Sequence, residues 1–448
     1  MDYDNVIYPF MEENKKGILK NIVCADRVNL FDKEGKKYLD GISGLWNVAL
    51  GYNNKNIEKS IINQLEKIPF VNLWSNTNDS ISMLANKLIA KTNGLSQKVM
   101  YTCTGSEAVE LSIKFARNHY HKLGKHNKKY VIGLDLSYHG TTYGAISLTG
   151  IDHNELQSIS PLLEGIALIK TPKLYNEDKS QYKNYLEEFF RVNNEKIAAI
   201  ILEPVLGVAG VVRIDDEYMQ LFSELCKKYD ILLIMDEITT AFYRTGPFFA
   251  YQGYKSIEPD MILVSKALTN GYLPLGGVLI GKKIVDRMAD NEAIPHLSTQ
   301  NGNPICCAAA LEVIRILEEE DFSKNNIDKS VYFRKLLKSK LVTINNIKEI
   351  RTEGMMFAIE LRDKEGNIMK FSSIWEITEL LKENGLLGYP YSTYKTSGLI
   401  LMPPYIINEL DMEEICQILY KTFIQYFYED VDLWIMYWLQ VLIVILDL

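Results

Sequence analysis

The sequence predicts an α/β fold, with a large domain around a mostly parallel sheet and a smaller α/β domain built from both chain ends. Three observations predict it. Four short apolar runs end in polar residues: VIGLD (131–135), IAAIILEP (197–204), ILLIMDE (231–237) and MILVSK (261–266). Segments with helical spacing alternate with them. Strand-like and helix-like stretches of a different character flank this core on both sides.

Each apolar run is bounded by turn signals, as expected of strands buried on both faces of a parallel sheet. Residues 106–120, SEAVELSIKFARNHY, place Ala108, Leu111, Phe115 and Ala116 at helical spacing, and residues 216–229 do the same with Met219, Phe222 and Leu225. Alternation of this kind implies right-handed crossovers across roughly residues 70–305, the large domain. Residues 1–69 form the N-terminal part of the small domain, with strand-like runs around a KEGKK turn at 33–37. Residues 306–430 form its C-terminal part. There, 305–340 reads as one long helical segment, and Asp411 with Glu414 as a capping-box-like start to a last helix. Residues 431–448 are an atypical tail: LWIMYWLQVLIVIL (433–446) is nearly all apolar, yet shorter than the ~20 residues that span a bilayer. It reads as a packed or interface segment, or as the product of a shifted reading frame, more readily than as a membrane anchor.

Composition narrows the function. The chain has 448 residues, and 49 Lys plus Arg against 57 Asp plus Glu give a net charge of −8. That argues against nucleic acid as a partner. The six cysteines form no CxxC pattern and suit the reduced thiols of a cytoplasmic protein. The N-terminus, MDYDNVIYPF, does not read as a signal peptide.

Three constellations carry chemistry. Glu203, Asp236 and Lys266 stand at the carboxyl ends of expected strands, where open α/β sheets bind ligands. TCTGSEAVE (102–110) opens a helix on Gly105 and Ser106, and a helix N-terminus can seat a phosphate. SYHGTTYG (137–144) offers the Tyr138 ring and the neighbouring His139. Pyridoxal 5'-phosphate (PLP) needs all of these: a phosphate seat, a carboxylate for its pyridinium nitrogen, a stacking partner and a lysine for its aldehyde. A lysine in such a site has its pKa lowered and can form an imine.

The sequence resembles the class III PLP-dependent aminotransferases, the subgroup with ω-amino acid:pyruvate and diaminopelargonate aminotransferases. Seven motifs occur in family order: YLDGISGLWNVALGY (38–52), TGSEAVELSIKFAR (104–117), YHGTTYGA (138–145), EPVLGVAG (203–210), DEITTAFYRTG (236–246), SKALTNGYLPLGG (265–277) and STQNGNPICCAAAL (298–311). The resemblance implies fold type I, with a seven-stranded type of sheet, and amino transfer from an amine or ω-amino acid to a keto acid or aldehyde. It implies that Lys266 forms the imine and shuttles the proton, and that Asp236 pairs with the pyridinium nitrogen. Ile238 would pack under the ring and Tyr138 over it, beside His139. Gly105 and Ser106 would hold the phosphate, and Glu203 would sit near the ring hydroxyl. Thr299 would reach the partner's site in a homodimer. Trp46, Trp74, Tyr143 and Tyr389 would line the substrate side. No metal and no membrane partner is implied. An aminomutase or racemase on the same fold, or a diaminopelargonate-type enzyme using S-adenosylmethionine, are the alternatives.

The departures bear on substrate. Where many relatives carry a carboxylate-binding arginine, NGLLGYPY (384–391) has Gly388 and Tyr389. Arg244 reads as structural. GGVLIGKK (276–283) lacks the Ser/Thr of a phosphate loop and reads as the strand after the lysine. His119, His121 and His126 read as a solvated helix end, and Cys306–Cys307 as packing.

Overall fold

The computed structural model describes residues 5–9, 19–151, 153–172, 179–288 and 293–428. The apolar tail lies outside the described residues.

The four apolar runs all form strands. They belong to a seven-stranded sheet that runs, edge to edge, Ser96–Thr102, Gly276–Gly281, Met261–Val264, Leu232–Asp236, Ile197–Leu202, Tyr130–Leu134 and Ile166–Ile169. Gly276–Gly281 is antiparallel to both neighbours, and the other pairings are parallel. Burial on both faces explains the unbroken apolar runs: Ile200 and Leu202 enter one core, while Ala199 and Ile201 enter the other. The helix Gly105–Lys122 buries Ala108, Leu111, Phe115 and Ala116, and the helix Asp216–Lys228 buries Met219, Phe222 and Leu225, as their spacing predicts.

The two chain ends meet in a second sheet. Ile22–Asp26, Asn29–Asp32 and Lys37–Asp40 pair antiparallel, and Leu386–Leu387 adds in parallel, with Leu386 opposite Leu39 and Leu387 opposite Asp40. A third sheet, ordered Ile347–Glu353, Met356–Leu361, Ser397–Leu401 and Tyr389–Ser392, is antiparallel throughout. Its hairpin brings Tyr389 against Trp46 and Tyr391 against Gly210.

Three local expectations need correction. The segment 305–340 is two helices, Pro304–Glu319 and Phe322–Lys340, with Asp321 at φ +45° between them. Four consecutive acids, Glu318 to Asp321, sit where the helix dipole disfavours negative charge. The last helix, Glu409–Phe427, starts on a box made by Asn408 and Asp411 rather than Asp411 and Glu414. The Asn408 side chain accepts from the Asp411 amide at 2.9 Å, and the Asp411 carboxylate accepts from the Asn408 amide at 3.0 Å. His119 is not solvated: it is buried in the helix Gly105–Lys122, and burial among Lys283, Arg287 and Lys125 pushes its pKa down to about 4. Among the described residues no helix is long and apolar enough to cross a membrane.

Candidate active site

The parallel strands deliver Glu203, Asp236 and Lys266 to the same end of the sheet, because Ile197–Leu202, Leu232–Asp236 and Met261–Val264 are adjacent and co-directional. The lysine follows its strand at φ +40°, and its Nζ donates to Thr239 Oγ1 at 2.5 Å. It also lies 4.8 Å from the centre of the Trp46 ring. Burial pushes the Lys266 ammonium down to about 8, against the opposing pull of Asp236 and Glu203. An amine so placed is held closer to its nucleophilic, neutral form.

Asp236 is held from two sides. Its Oδ1 accepts from the Ile238 amide at 3.1 Å, and its Oδ2 lies 2.7 Å from His139 Nδ1. A carboxylate on Nδ1 fixes the proton there. His139 Nε2 is buried and has no protein partner. The next residue, Glu237, turns the opposite way: it accepts from Thr240 Oγ1 at 2.5 Å and from the amides of Ala250 and Tyr251 at 3.0 and 2.7 Å. That clamp fixes where the aspartate strand ends.

Glu203 accepts from the Tyr138 amide at 2.9 Å, so it positions the residue expected to stack on the ring. Burial pushes the Glu203 carboxyl up to about 7, with His139 opposing and Asp236 adding to the rise. Tyr138 is half-buried.

The expected phosphate seat is a helix start. The Thr104 side chain caps the helix Gly105–Lys122 by accepting from the Glu107 amide at 3.1 Å. The amides of Gly105 and Ser106 precede the first intrahelical bond and remain available to an anion. Two glycines make room. A Cβ on Gly105 would stand 3.0 Å from Ile238 Cδ1, and one on Gly140, at φ +121°, would stand 2.2 Å from Ser106 Oγ. Glu107 ties the Thr299 loop to this seat: it accepts from the Cys103 amide at 2.7 Å and from Ser298 Oγ, and His296 Nε2 lies 2.9 Å from its Oε1.

On the substrate side, Trp46 is buried and meets Tyr389 edge-on, with ring centres 5.2 Å apart. Trp74 and Tyr143 are 82% and 60% exposed, and Thr299 is exposed, so the packing that seats Trp46 does not hold these three. Neither nearby arginine is a free cation. Arg244 is buried, donates to the carbonyls of Met355 (3.3 Å) and Pro403 (2.8 Å), and lies over the Tyr405 ring at 4.4 Å. Arg351 donates to Gly210 O and Tyr391 Oη, each at 2.7 Å, and to the carboxylate of Glu360. Sequence reasoning missed Thr239, Arg351 and Gly207, where a Cβ would stand 3.5 Å from Trp46 Cζ3. Gly207 and Thr239 lie inside the motifs EPVLGVAG and DEITTAFYRTG without a role read for either, and no motif held Arg351.

A lysine near a buried carboxylate, an anion seat and an aromatic plate, all at the carboxyl end of a mixed seven-stranded sheet, fit PLP and define a fold type I enzyme. The orphaned His139 Nε2 and the two glycines of the seat are the observations that carry the fit. The family model "Aminotransferase class-III" matches residues 10–423. The chain is 35% identical to an adenosylmethionine-8-amino-7-oxononanoate aminotransferase of Staphylococcus aureus, covering 80% of this chain and 82% of the relative. It is 32% identical to a putrescine–pyruvate aminotransferase of Pseudomonas aeruginosa, covering 92% of each. The PLP-bound crystal structure of an amine transaminase from an uncultivated Pseudomonas species superposes with a TM-score of 0.87 at 27% identity, over 94% of this chain and 98% of that one. The chain therefore belongs to the class III aminotransferases. It is an aminotransferase that depends on PLP.

Proposed function

We propose that the protein moves an amino group from an amine or ω-amino acid to a keto acid or aldehyde, as a cytoplasmic homodimer. The observation that carries this reading is the aromatic, cation-poor wall above Lys266. Trp46 and Tyr389 form it, while Arg244 and Arg351 are committed to protein carbonyls, Tyr391 and Glu360. A substrate whose second carboxylate demands a cation would leave that charge poorly compensated.

Lys266, Asp236, Tyr138, Ile238, Gly105 and Ser106 would hold the cofactor, with His139 behind Asp236 and Glu203 beneath Tyr138. When bound, PLP supplies an aldehyde that captures amines and a ring that accepts electron density. Asp236 would face the ring nitrogen and favour its protonated form, and His139 Nδ1 would keep that carboxylate in place. The Lys266 amine takes and returns the proton at the reacting carbon, steered by Thr239 Oγ1. Thr299, exposed in the single chain, would serve the partner's phosphate seat. The name of the Pseudomonas aeruginosa relative supports this reading: putrescine is a diamine and pyruvate carries a single carboxylate.

A donor–acceptor matrix tests it, with diamines, ω-amino acids and S-adenosylmethionine read against pyruvate, 2-oxoglutarate and aldehydes. Turnover of ω-amines with pyruvate or an aldehyde is expected. A strong preference for 2-oxoglutarate would contradict the proposal.

A further inference from the structure

The segment that carries Trp46 is backbone under strain. Ser43, Gly44 and Trp46 take φ of +51°, +68° and +67° within four residues. A bulky side chain at positive φ persists only where its surroundings over-determine it. Two charged residues outside the cleft supply those surroundings. Asp40, fully buried, accepts from the amides of Ile42 (3.0 Å) and Gly44 (2.6 Å) and from Tyr52 Oη (2.7 Å). Arg244, arriving from the large domain, extends Nη2 to Ser43 Oγ at 3.4 Å, and Ser43 Oγ in turn donates to Met402 O at 2.6 Å. Arg244 and Asp40 also attract one another through the protein interior. The turn is thus fixed at its backbone by an anion and at its side chain by a cation. What it presents is the Trp46 ring, 4.8 Å from Lys266 Nζ and against Tyr389.

We propose that Asp40 and Arg244 are positioning residues for Trp46, and that through the 42–44 turn, Asp40 at its amides and Arg244 at Ser43, they set how bulky an amine the cleft admits. Neither touches the substrate. Asp40 belongs to the sheet of the chain ends and Arg244 follows a strand of the seven-stranded sheet, so the substrate wall is registered to both bodies at once. This rests on the reading that Trp46 lines the substrate side.

The test compares n-propylamine with α-methylbenzylamine as donors to pyruvate, in holoenzyme. Trp46→Ala is expected to raise the ratio of kcat/KM in favour of the bulky amine. Arg244→Lys and Ser43→Ala are expected to shift the ratio in the same direction by about threefold to tenfold, the worth of one hydrogen bond. Ser43→Ala keeps both buried charges and decides the matter if Arg244→Lys does not fold. In the Trp46→Ala background neither change should shift the ratio further, since coupled residues are non-additive. Equal losses for both amines, or effects that multiply with Trp46→Ala, would overturn the proposal. A ratio unmoved by Trp46→Ala would instead refute the reading of Trp46 as the substrate wall.

Discussion

His139 Nδ1 lies 2.7 Å from Asp236 Oδ2, with both side chains buried. The two residues are 97 positions apart and reach each other only because their strands are delivered to the same end of the sheet. The pair predicts the first experiment. Asp236→Asn removes a preorganised charge and should lower kcat by roughly a hundredfold or more, as expected for loss of one electrostatic contact in a water-poor site. His139→Phe should cost less alone and add little in the Asp236→Asn background, because its effect passes through that carboxylate. Single-turnover kinetics of the three variants measures both.

The burial of Lys266 predicts a pH profile. The amine must be neutral to capture the cofactor aldehyde, so capture of PLP by the apoprotein should rise with a midpoint near about 8 rather than 10.5. The stability linkage has a definite sign. The unfolded chain binds the Lys266 proton more tightly, so this group makes stability rise with pH from about 8 to 10.5. Glu203 acts oppositely: its raised pKa means the folded protein binds the extra proton, so stability falls as pH rises from 4.5 to about 7. Urea melts of the apoprotein across pH 4–9 should show that acid-side slope flatten in Glu203→Gln.

Tyr389 packs against Trp46, and the resemblance puts the place of a carboxylate-binding arginine at Gly388 or Tyr389. Tyr389→Arg is predicted to lower KM for 2-oxoglutarate by about tenfold or more, the worth of a charge-assisted contact. Arg351→Gln should leave that KM unchanged, because the guanidinium is already committed to Glu360 and Tyr391. Steady-state kinetics of the two variants with 2-oxoglutarate distinguishes these outcomes.

The junction between the EPVLGVAG loop and the hairpin predicts a stability effect. Gly210 has φ +89°, and a Cβ there would stand 2.4 Å from Tyr391 Cε2. Gly210→Ala should destabilise by about 1–3 kcal/mol through overpacking and backbone strain. Gly253→Ala, whose Cβ would meet nothing nearer than 3.9 Å, serves as the neutral control in thermal melts.

Thr299 is exposed in the single chain, on a loop pinned to the phosphate helix through Glu107. If it serves the partner's seat, Thr299→Val should weaken PLP affinity by about tenfold or more, the loss of one hydrogen bond to a charged group. Equilibrium dialysis at protein concentrations above and below dimer dissociation measures it. An affinity independent of both the substitution and the concentration would contradict the shared site.

The fold was legible where apolar runs carried one meaning. ILLIM (231–235) and MILV (261–264) contain no residue that could face water, so both read as buried strands, and the polar residues that follow them marked the cleft. Helix faces at 106–120 and 216–229 were equally plain from their spacing. What depended on distant partners was not legible. Nothing in the sequence pairs His139 with Asp236, or Arg244 with Ser43, because no period links them. His119 looked solvated beside His121 and His126, yet the helix turn that carries it faces the core. The break at Asp321 depended on accumulated acid at a helix end, a smaller effect than the helical spacing on either side.

Lys266 is the residue proposed to hold the cofactor. Purified holoenzyme reduced with sodium borohydride, digested and mapped by mass spectrometry should carry the phosphopyridoxyl mass on the peptide containing Lys266. The same mass on another lysine, or on none, would contradict the account.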